Sequence, residues 1–130
     1  MQEVHDFLKE CKTYYIATME GEQPRVRPFG TIHLFEDRLY IQTGKIKSVS
    51  KQMAVNPRIE ICASKDGKWV RVEATAVDDP RLEAKESMLE AYPSLTDRYS
   101  ATDDNMQVLY LTDAVATFSS FTAPPKVVKF

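Results

Sequence analysis

Val4, Phe7, Leu8 and Cys11 recur at i, i+3, i+4 and i+7, with Glu3, Asp6, Lys9 and Glu10 between them. That spacing makes one apolar stripe on a short helix over residues 2–11. From Thr13 the pattern changes. Thr13 to Met19 is rich in β-branched and aromatic residues and stops at Glu20-Gly21-Glu22-Gln23-Pro24, so a strand followed by a turn is predicted. A second strand is expected from about Arg25 to Leu34, a turn near Glu36-Asp37-Arg38, and a third strand over Leu39 to Thr43.

Gly44 breaks the pattern, and Lys47 to Val55 reads as a short helix turning Val49, Met53 and Ala54 inward. Asn56-Pro57 ends it, because the residue before a proline avoids helical dihedrals. Arg58 to Ala63 alternates as a half-buried strand, and Lys65-Asp66-Gly67-Lys68 is a hairpin loop. Trp69 to Val77 alternates cleanly, with Val70, Val72, Ala74 and Ala76 on one face and Trp69, Arg71, Glu73 and Thr75 on the other. Pro80 is expected at the first position of a third helix, whose apolar residues are Leu82, Met88, Leu89 and Tyr92. Two further strands are predicted at Met106 to Leu111 and Val115 to Phe121, then an extended tail.

Six to seven short antiparallel strands with three small helices predict a mainly β fold, a closed or nearly closed barrel with flanking helices. Hairpin connections exclude a parallel sheet, which needs long crossovers. A chain of 130 residues is expected to form a single domain over residues 1–130. Size scaling leaves about 7,000 Å² exposed on folding, so a core can form without metal or disulfide staples. With 17 Lys and Arg against 19 Asp and Glu, the acidic balance argues against nucleic-acid binding, which feeds on positive charge. No apolar run reaches the length of a membrane span and MQEVHDFLKE is no signal peptide, so no membrane and a cytoplasmic location are expected. Cys11 and Cys62 show no metal-ligand spacing and are expected to be buried free thiols.

Two segments could carry chemistry. On the second strand, period two places Arg25, Arg27, Phe29, Thr31 and His33 on one face, and Pro28 interrupts backbone pairing. Such a face can bind a flat anion. In Thr43-Gly44-Lys45-Ile46-Lys47-Ser48-Val49-Ser50-Lys51, lysines and hydroxyls stand where a strand runs into a helix, an arrangement suited to phosphate. A hairpin could bring Arg27 and Lys47 to one phosphate. Trp69 shares an outward face with Arg71 and Glu73, which predicts cover by a partner, most simply a second copy of the chain. His5 is expected to be solvated and His33 to be a surface residue. No Ser-His-Asp set, HExxH or carboxylate pair is present, so any redox chemistry would fall to a cofactor.

Arg27-Pro28-Phe29, Thr43, Lys47, Asn56-Pro57-Arg58, Trp69-Val70-Arg71-Val72 and Ser120-Phe121 stand in the order and spacing of the pyridoxamine 5′-phosphate oxidase-like flavoproteins. The chain resembles this family over about residues 5–121, and above all its small bacterial members, which include nitroimidazole-reductase-type resistance proteins. The resemblance implies an FMN-binding split barrel and a homodimer with FMN at the interface. It implies that Arg27 and Lys47 contact the FMN phosphate with help from Ser48. Pro28 and Phe29 would lie against the flavin, Gln42 and Thr43 would serve the ribityl chain or ring edge, and Trp69 and Arg71 would come from the partner chain. The implied activity is that of an FMN-dependent oxidoreductase of a small organic substrate; the alternative is a non-catalytic flavin or haem binder on the same barrel. Departures point away from vitamin B6 oxidase activity itself. The phosphate helix begins Lys47-Ser48-Val49 where those oxidases have Ser-Arg-Lys, Ile32 replaces a substrate lysine, and their C-terminal tryptophan and Arg-Leu segment are missing.

Overall fold

In a computed structural model describing all 130 residues, the strongest alternations of the sequence become the walls of a barrel. The chain runs α1 (Gln2–Cys11), β1 (Tyr14–Glu20), β2 (Gln23–Phe29), β3 (His33–Phe35), β4 (Arg38–Gly44), α2 (Ser48–Val55), β5 (Arg58–Lys65) and β6 (Lys68–Asp78). It continues through α3 (Leu82–Ala91), a 3₁₀ turn (Pro93–Asp97), β7 (Met106–Ser120) and β8 (Lys126–Lys129). All strand pairs are antiparallel, in the order β2-β1-β5-β6-β7-β4-β3, with β8 added to β7. The exposed surface, 7381 Å², matches the scaling expectation. No helix is long and apolar enough to cross a membrane.

Inward residues of alternating strands fill the interior: Ile16 from β1, Ile59 and Ile61 from β5, Val70, Val72 and Ala74 from β6, Leu109 and Ala116 from β7. Val4 and Leu8 of α1 join the same core, while Val49 and Met53 of α2 enter it from a second helix. Leu39 to Gly44 of β4 is buried without alternation. Its outer face is covered by a second cluster in which Tyr40 packs with Ala84, Met88, Leu95, Met106 and Val108.

The strand count differs from the sequence reading in three places. Arg25 to Leu34 is not one strand: β2 ends at Phe29, and Gly30 to Ile32 crosses to β3 without a ladder partner. Thr31 and His33 therefore leave the face of Arg25 and Arg27. Met106 to Ser120 is a single strand instead of two, because the residues around Asp113 (φ 48°) form a bulge against Glu73 and Thr75 rather than a turn. The tail is an eighth strand, β8, and not merely extended.

Smaller corrections follow from side-chain partners. Pro80 precedes the third helix by two residues, because Asp79 Oδ1 accepts the Arg81 N–H at 3.2 Å and holds an Asx turn first. Ala54 is exposed, and Gln52 and Ser50 take the buried positions of α2. Ile59, Ile61 and Ala63 occupy the inner face of β5, so Cys62 is exposed, and Cys11 is half-buried. The His5 side chain is only 16% exposed, set against Asp6 at 2.9 Å. His33 is half-buried, with Nε2 2.7 Å from Ser87 Oγ.

Candidate functional site

The barrel is open between β2 and β3, and two tyrosine hydroxyls hold the crossing link. Tyr14 donates to the Thr31 carbonyl at 2.6 Å. Tyr92 accepts the Ile32 N–H at 3.1 Å and donates to the Ile32 carbonyl at 3.0 Å. Beside this link lies a pocket of about 330 Å³. β2 and the link supply Arg27 to Thr31, β4 supplies Gln42 and Thr43, the start of α2 supplies Lys47 and Val49, and Tyr92 to Tyr99 closes the far wall.

β2 is an edge strand, paired only with β1. Proline survives in such a ladder only where its missing N–H would point away from the neighbour. Pro28 and Pro24 share that parity, so the outer backbone groups of β2 face the opening instead of a strand. Gly44 ends β4 under close constraint, since a Cβ there would stand 3.0 Å from Tyr99 Oη. The hydroxyl wall therefore closes onto bare backbone at this point.

Arg27 is held by neutral acceptors alone. Its guanidinium donates to Thr18 Oγ1 at 2.7 Å, to Gln52 Oε1 at 2.6 Å and to the Ile16 and Arg25 carbonyls at 3.3 and 3.4 Å. Thr18 donates to the same Gln52 oxygen at 2.5 Å. Glu20, which accepts from the Gln52 amide at 3.4 Å, is engaged by Arg25 at 2.8 Å. Burial lowers the Arg27 pKa, and the like charge of Arg25 adds to the effect. Lys47 is exposed and forms no ion pair. Ser48 and Val49 open α2, so their N–H groups have no intrahelical acceptor. No aspartate or glutamate lines the pocket. The arrangement sets cationic side chains and free helix-start N–H groups together with no carboxylate among them.

Of the residues singled out in the sequence, Arg27, Pro28, Phe29, Gln42, Thr43 and Lys47 meet at this pocket. Gln42 and Thr43 are buried, the Gln42 amide donating to the Thr43 carbonyl at 2.9 Å. Ser48 lines instead a neighbouring hollow of about 240 Å³ with Glu20, Lys51 and Gln52. Trp69 and Arg71 lie elsewhere. Trp69 pairs with Ser119 and Gln42 with Val108 along β7, a separation of roughly 36 Å along the strand at about 3.3 Å per residue. The Trp69 ring rests on Phe121, centroids 5.1 Å apart, and Phe121 is 89% exposed. Arg71 is exposed on the outer face.

Sequence reasoning missed Thr18 and Gln52, which orient Arg27, and the wall formed by Tyr92, Ser94 and Tyr99. Buried polar residues at core positions of a strand and a helix were the available signal for the first pair. A wider hollow of about 720 Å³ lies between α1 and the tail. Its Lys126 and Glu3 neutralise each other at 2.8 Å, and it gathers no comparable set of unpaired donors.

Comparison with known proteins places the fold and the family. Residues 1–119 match the family described as pyridoxamine 5′-phosphate oxidase. A NimC/NimA family protein from Clostridium acetobutylicum superimposes with a TM-score of 0.97 at 41% identity, over 100% of this chain and 92% of that one. General Stress Protein 26 from Bacillus anthracis matches with a TM-score of 0.77 at 15% identity, covering 99% and 98%. HutZ, the heme storage protein of Vibrio cholerae, matches with a TM-score of 0.66 at 20% identity, covering 85% and 87%. The last two likenesses concern the fold alone. No curated protein matches the chain.

Proposed function

Because the chain belongs to the pyridoxamine 5′-phosphate oxidase family, we propose that the pocket at the barrel opening binds FMN and that the protein is an FMN-dependent oxidoreductase of a small organic substrate. The observation that carries this reading is Arg27: a partly buried guanidinium, fixed by four neutral oxygens and in no ion pair. A phosphate is the counter-charge that suits it.

The residues fit the group. Arg27 and Lys47 would hold the phosphate from two sides, and the unpaired N–H groups at the start of α2 would add to its binding. Thr43 and Gln42 line the pocket in reach of a polyol chain, and the outward backbone edge at Pro28 and Phe29 offers hydrogen bonds to a heteroaromatic ring. When bound, FMN supplies hydride and single-electron chemistry at its N5. The chain's own contribution is to anchor the phosphate, exclude water with the Tyr92–Tyr99 wall and present one open face to the substrate.

A second copy of the chain completes this reading. Tyr15 and Val26 are 51% and 65% exposed on the outer faces of β1 and β2, apolar surface that a homodimer would cover. Trp69 and Arg71 stand too far from their own pocket to serve it and would serve the partner's. The test is spectral: purified protein reconstituted with FMN should show flavin bands perturbed from those of free FMN and bind it stoichiometrically. Unperturbed bands, with FMN removed by simple desalting, would count against the proposal.

A further inference from the structure

The same pocket holds one cation more than a cofactor phosphate needs. Arg27, Lys47 and Arg98 all line it, no acidic side chain does, and none of the three forms an ion pair elsewhere. Arg27 and Lys47 approach from β2 and the start of α2. Arg98 comes from the opposite wall, just after the 3₁₀ turn, where its N–H donates to the Leu95 carbonyl at 3.0 Å and fixes the backbone under it. Tyr92 and Ser94 share that wall.

Two cations offset a phosphate dianion, so a pocket carrying three retains about one positive charge once the phosphate is seated. Arg98 is exposed on the pocket wall, and a guanidinium binds a planar carboxylate bidentately, a geometry ammonium groups lack. A cationic substrate would meet like charge there. We propose that the substrate is a small monoanion, an aromatic or conjugated carboxylate, and that Arg98 is the residue that selects it. The inference rests on the flavin reading, since it takes the phosphate to occupy Arg27 and Lys47. Tyr92 and Ser94 add hydroxyls beside the carboxylate position, and the flat aromatic body would lie toward Phe29 and the ring-binding edge of β2.

The experiment uses the FMN-loaded protein and two isosteric probes, benzoate and benzamide, titrated while the flavin difference spectrum is recorded. Benzoate is expected to bind at least tenfold more tightly than benzamide, the order of magnitude a charge-assisted pair contributes. In Arg98→Gln that preference should vanish, in Arg98→Lys it should survive in part, and FMN should be weakened less than tenfold in both. Equal binding of the two probes by wild-type protein overturns the proposal. So does a tenfold loss of FMN, but not riboflavin, in Arg98→Gln, because Arg98 would then belong to the cofactor phosphate. If no flavin loads at all, the flavin reading fails separately, and calorimetry of the unloaded protein decides the anion claim: benzoate preference lost in Arg98→Gln sustains it, and no preference ends it.

Discussion

Arg27 and Gln52 meet at 2.6 Å, guanidinium to amide oxygen, across the gap between β2 and α2. Glutamine orients the cation without neutralising it, and a glutamate would do both. Gln52→Glu should therefore form an ion pair with Arg27 and cost FMN roughly ten- to hundredfold in affinity, the worth of a charge-assisted hydrogen bond. Riboflavin, lacking the phosphate, should be little affected. Arg27→Ala should show the same contrast. Fluorescence titration of the two flavins checks both, and parallel losses would remove the phosphate assignment.

Dimer formation and a shared site make a second prediction. Trp69→Ala and Lys47→Ala each damage every site in their own homodimers if Trp69 acts on the partner's pocket. In a mixed dimer one site receives both defects and the other receives neither. Co-refolding the two variants should restore about one native-affinity site in four, from random pairing of subunits. Recovery no better than the average of the parents would show that Trp69 does not act across an interface.

Much of this was written plainly in the sequence, and the exceptions have identifiable causes. Arg27 and Lys47 were legible because each sits beside a local break, a proline in one case and a helix start in the other. The β2–β3 break was not, since Gly30-Thr31-Ile32 keeps a strand-like alternation and only the absence of a neighbouring ladder ends the strand. β7 looked like two strands because Thr112-Asp113 reads as a turn, while β6 and β8 hold it through a bulge. Tyr92 and Arg98 reach the pocket through the packing of α3 on the outer side of β4, a contact between segments some forty-five residues apart that no local pattern reports. Gln52 was hidden by its polarity: the inward face of its helix was drawn from Val49, Met53 and Ala54, yet Gln52 is 7% exposed.

Asp79 makes stability depend on acid pH. Its pKa is lowered from 3.8 to about 2, chiefly by hydrogen bonds from the Arg81 guanidinium, with further help from the Tyr40 hydroxyl and the Arg81 backbone, against the opposing effect of burial. A carboxylate with a depressed folded-state pKa contributes stability above about pH 4, and that stability is lost as pH falls through about 2. The size of the shift corresponds to about 2 kcal/mol. Asp79→Asn should lie below wild type by about that amount in urea unfolding at pH 6. The gap should narrow steadily from pH 4 to pH 2. A gap that does not change with pH would assign the loss to packing instead.

Tyr92 holds the pocket wall through both polar groups of one residue, Ile32, and Lys9 of α1 lies 4.7 Å from its ring centroid. Tyr92→Phe keeps the ring and leaves the Ile32 N–H without its hydroxyl acceptor. The expected cost is about 1–3 kcal/mol. Faster amide exchange should be localised to Gly30 to Ile32, followed by weaker binding of FMN and riboflavin alike, since the wall and not the phosphate is disturbed. Unchanged exchange at Ile32 would mean that the link is held by its flanking strands alone.

Haem is the ligand against which the donor set argues. Haem iron is bound through His, Cys, Met or Tyr, and the pocket contains no histidine, cysteine or methionine. His33 lies outside it with Nε2 on Ser87, and burial, then the charges of His5 and Lys9, lower its pKa. His5 is set against Asp6, and Cys62 is on the outer face of β5. Among the lining tyrosines, the Tyr92 hydroxyl is engaged twice by Ile32, which leaves Tyr99, whose oxygen abuts the end of β4 at Gly44. Titration with hemin should therefore give a spectrum close to that of hemin in buffer and should not displace bound FMN. A sharp, shifted Soret band that disappears in Tyr99→Phe or His33→Ala would reverse this conclusion and identify the ligand in the same experiment.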